Sequence, residues 1–168
     1  MSASLKVELT FTGLLRAGVL GLAGVSGFCI MAMVLITCAD VIMRIFGSPI
    51  IGAYDLVYVS GAVAMAAALP YTTALKGHVA IEYFFQKMSK KPRIIVDTIV
   101  RLFGIGFFAM LTSESARIGT NLKDRGEVTA TLQMPVFWVS WVIALCCGLV
   151  ALVIFYNMTH PGRALVKP

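Results

Sequence analysis

AGVLGLAGVSGFCIMAMVLITCA, residues 17–39, decides the fold. No charged side chain interrupts it between Arg16 and Asp40. A helix needs about 20 consecutive apolar residues to cross the hydrocarbon core of a bilayer. A cleaved secretory signal has an apolar core of only about 7–15 residues. The run is too long for such a signal, so it reads as a first membrane span over about 17–41.

Outward from that span, the composition carries the same message. The chain has 168 residues, of which 59% are hydrophobic and 13% charged. Soluble domains carry roughly a quarter charged residues. One membrane domain of several helices fills this length, with no room for a separate catalytic domain. The formal net charge is +6. Its basic residues fall between apolar runs, where they meet lipid headgroups and fix topology rather than bind nucleic acid.

Three further spans follow. The second covers about 56–75, after the Gly47-Ser48-Pro49 break and Gly52. Asp55 stands at its start, favourable against a helix N-terminus, and Pro70 is placed to kink its other end. The third covers about 94–112, with Asp97 and Arg101 in its first turns. Residues 118–134 read as a polar connection. The fourth covers about 135–156, with Pro135 suited to the first helical position. Between spans two and three, Val79–Met88 mixes apolar and aromatic residues with Glu82, Gln86 and Lys87. We read it as a short amphipathic interfacial helix; a continuation of span two is the alternative. The fold class is therefore all-α, with four transmembrane helices.

Lys and Arg set the orientation. Nine of them lie in the two termini and the connection between spans two and three; four lie in the other two connections; Arg101 is within span three. Both termini are therefore expected in the cytoplasm. Tyr54, Tyr58, Phe137, Trp138 and Trp141 then fall near the outer boundary, as an aromatic belt does.

Little of this points to chemistry. A transporter with its own ion pathway carries an ionisable residue deep in a span. Here Asp40/Arg44 and Asp97/Arg101 are spaced i,i+4 and Glu114/Arg117 i,i+3, all near helix ends, where such residues pair locally. The other reading is that one pair, Asp97–Arg101 first, is buried against another subunit. Cys29, Cys38, Cys146 and Cys147 sit in apolar runs without zinc-ligand spacing. His78 and His160 lie at span edges, misplaced for a membrane haem. No nucleotide-binding motif occurs. Small residues recur at Gly18/Gly21/Gly24/Gly27, Ser60/Ala64/Ala68 and Ser140/Ala144/Gly148. Such rows let helices approach closely in lipid, either inside the chain or against a partner.

Three segments carry a resemblance: Asp40-Val-Ile-Met-Arg44, then Pro49-Ile-Ile-Gly-Ala-Tyr-Asp-Leu56, then Gly77-His-Val-Ala-Ile-Glu82. With Leu132-Gln-Met-Pro135 and the aromatic-rich fourth span, they resemble the small, DctQ-like membrane subunit of tripartite ATP-independent periplasmic (TRAP) transporters. The likeness covers about residues 17–157. Many members have a second acidic residue where Tyr54 stands, a departure that bears on a partner contact. The resemblance implies a non-catalytic permease subunit in the bacterial inner membrane. It would pair with a large membrane subunit that holds the substrate and sodium sites, and help dock a periplasmic solute-binding protein carrying organic acids. No cofactor or metal is expected in this chain. Arg44, Asp55, His78 and Glu82 are the motif positions it suggests, and Asp97, Arg101 and Arg125 are further candidates for partner contact. An anchor for a membrane-bound enzyme and a self-sufficient small transporter are the alternatives.

Overall fold

The computed structural model describes residues 3–75 and 90–159, with side chains described for 12–75, 96 and 98–158. The interfacial segment proposed for 79–88 lies outside the described residues. So do His78, Glu82 and the side chain of Asp97.

Four helices follow one another: α1 (Ala3–Ile45), α2 (Ala53–Ala74), α3 (Lys90–Arg125) and α4 (Phe137–Thr159). Each is long and apolar enough to cross a membrane. Their lengths differ in a telling way. α2 and α4 have 22 and 23 residues, about 33–35 Å at 1.5 Å per residue, close to a hydrocarbon thickness of about 30 Å. α1 and α3 have 43 and 36 residues. At the same rise they reach about 65 and 54 Å, so both outrun the bilayer.

The helices form a row rather than a closed bundle. α2 packs on α4; α1 lies along α2 and only marginally on α4; α3 lies along α4. The order across the row is therefore α1, α2, α4, α3. Burial follows that order. The core consists of clusters along the α2–α4 seam: Val59, Val63 and Val139 towards one end, Ala66, Ala67 and Cys146 in the middle. At the other end, Leu15 and Val19 of α1 meet Ala74 of α2 and Val153 and Tyr156 of α4. From Thr98 to Ile118, α3 has no fully buried residue.

The rows of small residues separate into two kinds. Ala64 and Ala144 are buried in the seams, and the Ser26 hydroxyl of α1 donates to the Ala64 carbonyl at 2.9 Å. Glycines line the α3–α4 contact. A Cβ at Gly148 would meet Thr112 at 3.6 Å, one at Gly104 would meet Ile154 at 3.4 Å, and one at Gly119 would lie 2.3 Å from Trp141 Cδ1. The α1 row behaves differently. A Cβ at Gly18, Gly21, Gly24 or Gly27 would meet nothing within 4 Å. Gly21, Gly24 and Gly27 are exposed, and Gly18 is half-buried.

Two sequence expectations need correction. α3 does not stop near residue 112 but continues to Arg125. Tertiary contact overrides the polar composition there: Gly119 admits the Trp141 ring, and the Lys123 ammonium sits over that ring at 5.6 Å. Pro135 is not the first helical residue. It lies opposite Val128 in an isolated antiparallel bridge, and α4 starts at Phe137. The bridging bonds run from Thr129 N–H to the Met134 carbonyl (2.9 Å) and from Val136 N–H to the Glu127 carbonyl (3.3 Å). The proline needs no N–H of its own in that position.

Candidate functional site

Among the described residues, polar interactions concentrate at the end of the row that carries the α1–α2 and α3–α4 connections. The chain leaves α1 at Ile45 and turns at Gly47, whose φ is +76°. Asp40, in the last turns of α1, organises this corner. Its Oδ2 accepts from Arg44 Nε at 2.9 Å, and its Oδ1 accepts from the Ile50 N–H at 3.0 Å. The i,i+4 pairing expected for Asp40 and Arg44 is thus present, and it has an unforeseen second half. By holding the Ile50 amide, the same carboxylate fixes where the connection returns to α2. The Arg44 side chain remains 67% exposed, while that of Asp40 is 13% exposed. The guanidinium therefore presents charge to the surroundings from a fixed base.

Asp55 organises the neighbouring corner. It lies in the first turn of α2 and is buried. Its Oδ2 accepts from the Thr131 N–H at 2.8 Å and the Leu132 N–H at 2.9 Å. Close by, Thr129 Oγ1 accepts from the Met134 N–H at 3.1 Å. Hydrogen bonds to an ionised acceptor are the strong ones. Asp55 therefore does more than favour a helix start. It seizes the tip of the α3–α4 connection across the sequence.

Gly52 completes the clasp. Its φ is +85°, a left-handed conformation that glycine adopts without steric cost. A Cβ there would lie 2.4 Å from Leu132 Cγ and within 2.8 Å of both terminal methyl carbons. Gly52 thus allows the turn into α2 and the seating of Leu132. Gln133, next along, has φ +51°, which turns the loop back towards α4.

The consequence follows from the order of the row. Within the apolar layer, among the described residues, α3 packs chiefly on α4. The connection from α3 crosses α4 and is fastened to α2 by Asp55. The long flanking helix is thereby tied to the centre of the row at a second point. Arg125, at the end of α3, stands 3.7 Å from Glu127, with the two side chains 73% and 50% exposed. An exposed pair of this kind contributes little stability, of order 0–1 kcal/mol. Tyr54 and Tyr58 are exposed on α2, one turn apart. Phe137 and Trp141 pack edge to face, 5.2 Å between centroids.

The remaining expected residues lie elsewhere. Arg101, near the opposite end of α3, donates from Nη1 to the Asn157 carbonyl of α4. It is half-buried and turned inward on its own chain. Glu114 and Arg117 are both exposed and form no ion pair with each other. Among the described residues, no group of histidine, cysteine and carboxylate side chains is placed to hold a metal ion. Of the expected residues, Arg44 pairs with Asp40, Asp55 holds the 131–132 amides, and Arg125 stands by Glu127; the structure shows no contact among the three. Sequence reasoning missed Thr129 and the second role of Asp40. Thr129 gave no signal of its own. Gly52 and Leu132 were both visible in the likeness, but not their contact.

No curated protein and no solved structure matches the chain. A family match does extend over residues 33–161, to tripartite ATP-independent periplasmic transporters, DctQ component. It begins in the last third of α1 and takes in both clasped corners. With four membrane-spanning helices and a match over most of its length, the chain belongs to the DctQ family, the small membrane component of TRAP transporters.

Proposed function

We propose that this chain is a non-catalytic scaffold subunit of a sodium-coupled TRAP transporter for organic acids. It supports a large membrane subunit that holds the substrate and sodium sites, and its clasped end helps to receive the periplasmic solute-binding protein. The clasped end faces the periplasm of a bacterial inner membrane, and both termini lie in the cytoplasm. Arg101 serves the fold near the cytoplasmic boundary; Arg44 and Arg125 present charge to the binding protein.

The observation that carries this reading is the unpartnered face of α1. A Cβ added at any glycine of its row would meet nothing within 4 Å in the chain, and Gly21, Gly24 and Gly27 are exposed. Small residues gain a membrane helix nothing against lipid; they matter where another helix comes close. The open row supports the same reading, since α1 and α3 each leave one long side uncovered. Support for the orientation comes from the excess of Lys and Arg at the termini and in the middle connection.

Affinity purification of the chain in mild detergent tests the reading. A large multi-span membrane protein should co-purify in one-to-one ratio. Recovery of the chain alone, or bound to a haem- or quinone-containing enzyme, would refute it. A labelling reporter at residue 125 accessible only from the cytoplasm would overturn the orientation.

A further inference from the structure

The docking role proposed above leaves open what gives the periplasmic end its shape. Two facts limit the answer. Arg44 and Arg125 sit on different corners, contributed by the outer ends of α1 and α3 at opposite flanks of the row. In the apolar layer the flanks are joined only indirectly, through the α2–α4 seam: α3 packs chiefly on α4, and α1 chiefly on α2. A second fastening lies above the layer, in the bonds of Thr131 and Leu132 N–H to a single carboxylate oxygen of Asp55.

We propose that Asp55 is a positioning residue for binding-protein docking: by holding the 126–136 connection on α2, it sets the Arg125 tip at a fixed separation from the Arg44 corner. This rests on the docking reading and deepens it. Asp55 is buried and lies beneath the loop, so it acts through the residues it holds rather than by touching the partner. Pre-organisation of this kind lowers the ordering cost of association. Losing it weakens the encounter complex but leaves the transport step untouched once the complex forms.

The test uses the whole transporter reconstituted in vesicles, with uptake measured against binding-protein concentration. Asp55→Ala removes the acceptor. Its half-saturating concentration should rise about tenfold with the maximal rate unchanged, the pattern of a lost positioning contact. Hydrogen exchange at the Thr131 and Leu132 amides should accelerate in the same variant. Asp55→Asn gives the rescue arm. Both bonds go to one oxygen, so an amide carbonyl can accept them, and most of the docking should return. If Asp55→Ala leaves those two amides protected, or Asp55→Asn is as impaired as Asp55→Ala, the positioning role is wrong. Charge reversal at Arg44 and Arg125 separates the two levels. If reversal raises the half-saturating concentration and Asp55→Ala does not, Asp55 has no positioning role. If neither change has an effect, the docking reading fails, and the Asp55 proposal with it. Should Asp55→Ala not assemble, the comparison of Asp55→Asn with the parent protein still decides: both amides must keep at least partial protection, and docking must track that protection.

Discussion

Replacing Gly52 by alanine strikes the clasp at the point where backbone conformation and packing coincide. At φ +85° an L-residue costs about 1–2 kcal/mol over glycine. The new Cβ would also fall 2.4–2.8 Å from three carbons of Leu132, so that side chain must leave its seat. Leu132 is 37% exposed. Full burial of a leucine is worth about 1.5–3 kcal/mol, so unseating it loses about 1 kcal/mol. Together the local opening energy of the clasp should fall by about 2–3 kcal/mol. That corresponds to exchange roughly 30- to 150-fold faster at the Leu132 amide, at 1.4 kcal/mol per factor of ten. The assay is hydrogen exchange of the purified chain in mild detergent. Leu132→Ala alone should cost about 1 kcal/mol. In the double variant the overlap no longer exists, so the two effects should fall short of additivity by about 1 kcal/mol. Additive effects, or a Gly52→Ala clasp as protected as the parent, would refute the proposed interlock.

Three other substitutions test the packing of the row. Ser26→Ala removes the hydroxyl bond to the Ala64 carbonyl and should destabilise the α1–α2 contact by about 0.6 kcal/mol, the usual size for such bonds in membranes; thermal unfolding in detergent measures it. Gly119→Ala drives a Cβ into the Trp141 ring; it should cost about 1–3 kcal/mol by overpacking and change Trp141 emission in a Trp138→Phe background, whereas an unchanged spectrum would deny the close α3–α4 approach. Gly24→Leu has open space within the chain. It should leave the melting temperature of the isolated subunit unchanged while sharply reducing co-purification with the large subunit, and full recovery of the complex would remove α1's glycine row from the interface.

What could be read in the sequence follows from range. The apolar runs marked all four helices because spanning length is a local property. The Gly47-Ser48-Pro49 break marked the end of α1 for the same reason. The i,i+4 spacing of Asp40 and Arg44 placed them on one face, and the structure pairs them. Whatever depended on distant contact was not legible. Residues 113–125 look like a connection because they are polar, yet α3 continues through them against Trp141. Asp55 looked like a residue that favours a helix start; its partners lie 76 and 77 positions away. The three small-residue rows were equivalent on paper. Only the order α1, α2, α4, α3 shows that two of them are used internally and that the α1 row is not.

The central claim is that this chain supports a transport site it does not itself contain. Uptake into sealed vesicles, driven by an imposed sodium gradient, tests that most directly. Vesicles holding only this chain should take up no substrate, with or without the binding protein. Vesicles holding this chain and its large partner should take up substrate when the binding protein is added, and the partner without this chain should lose most of that activity. Uptake by this chain alone, or full activity of the partner in its absence, would contradict the account.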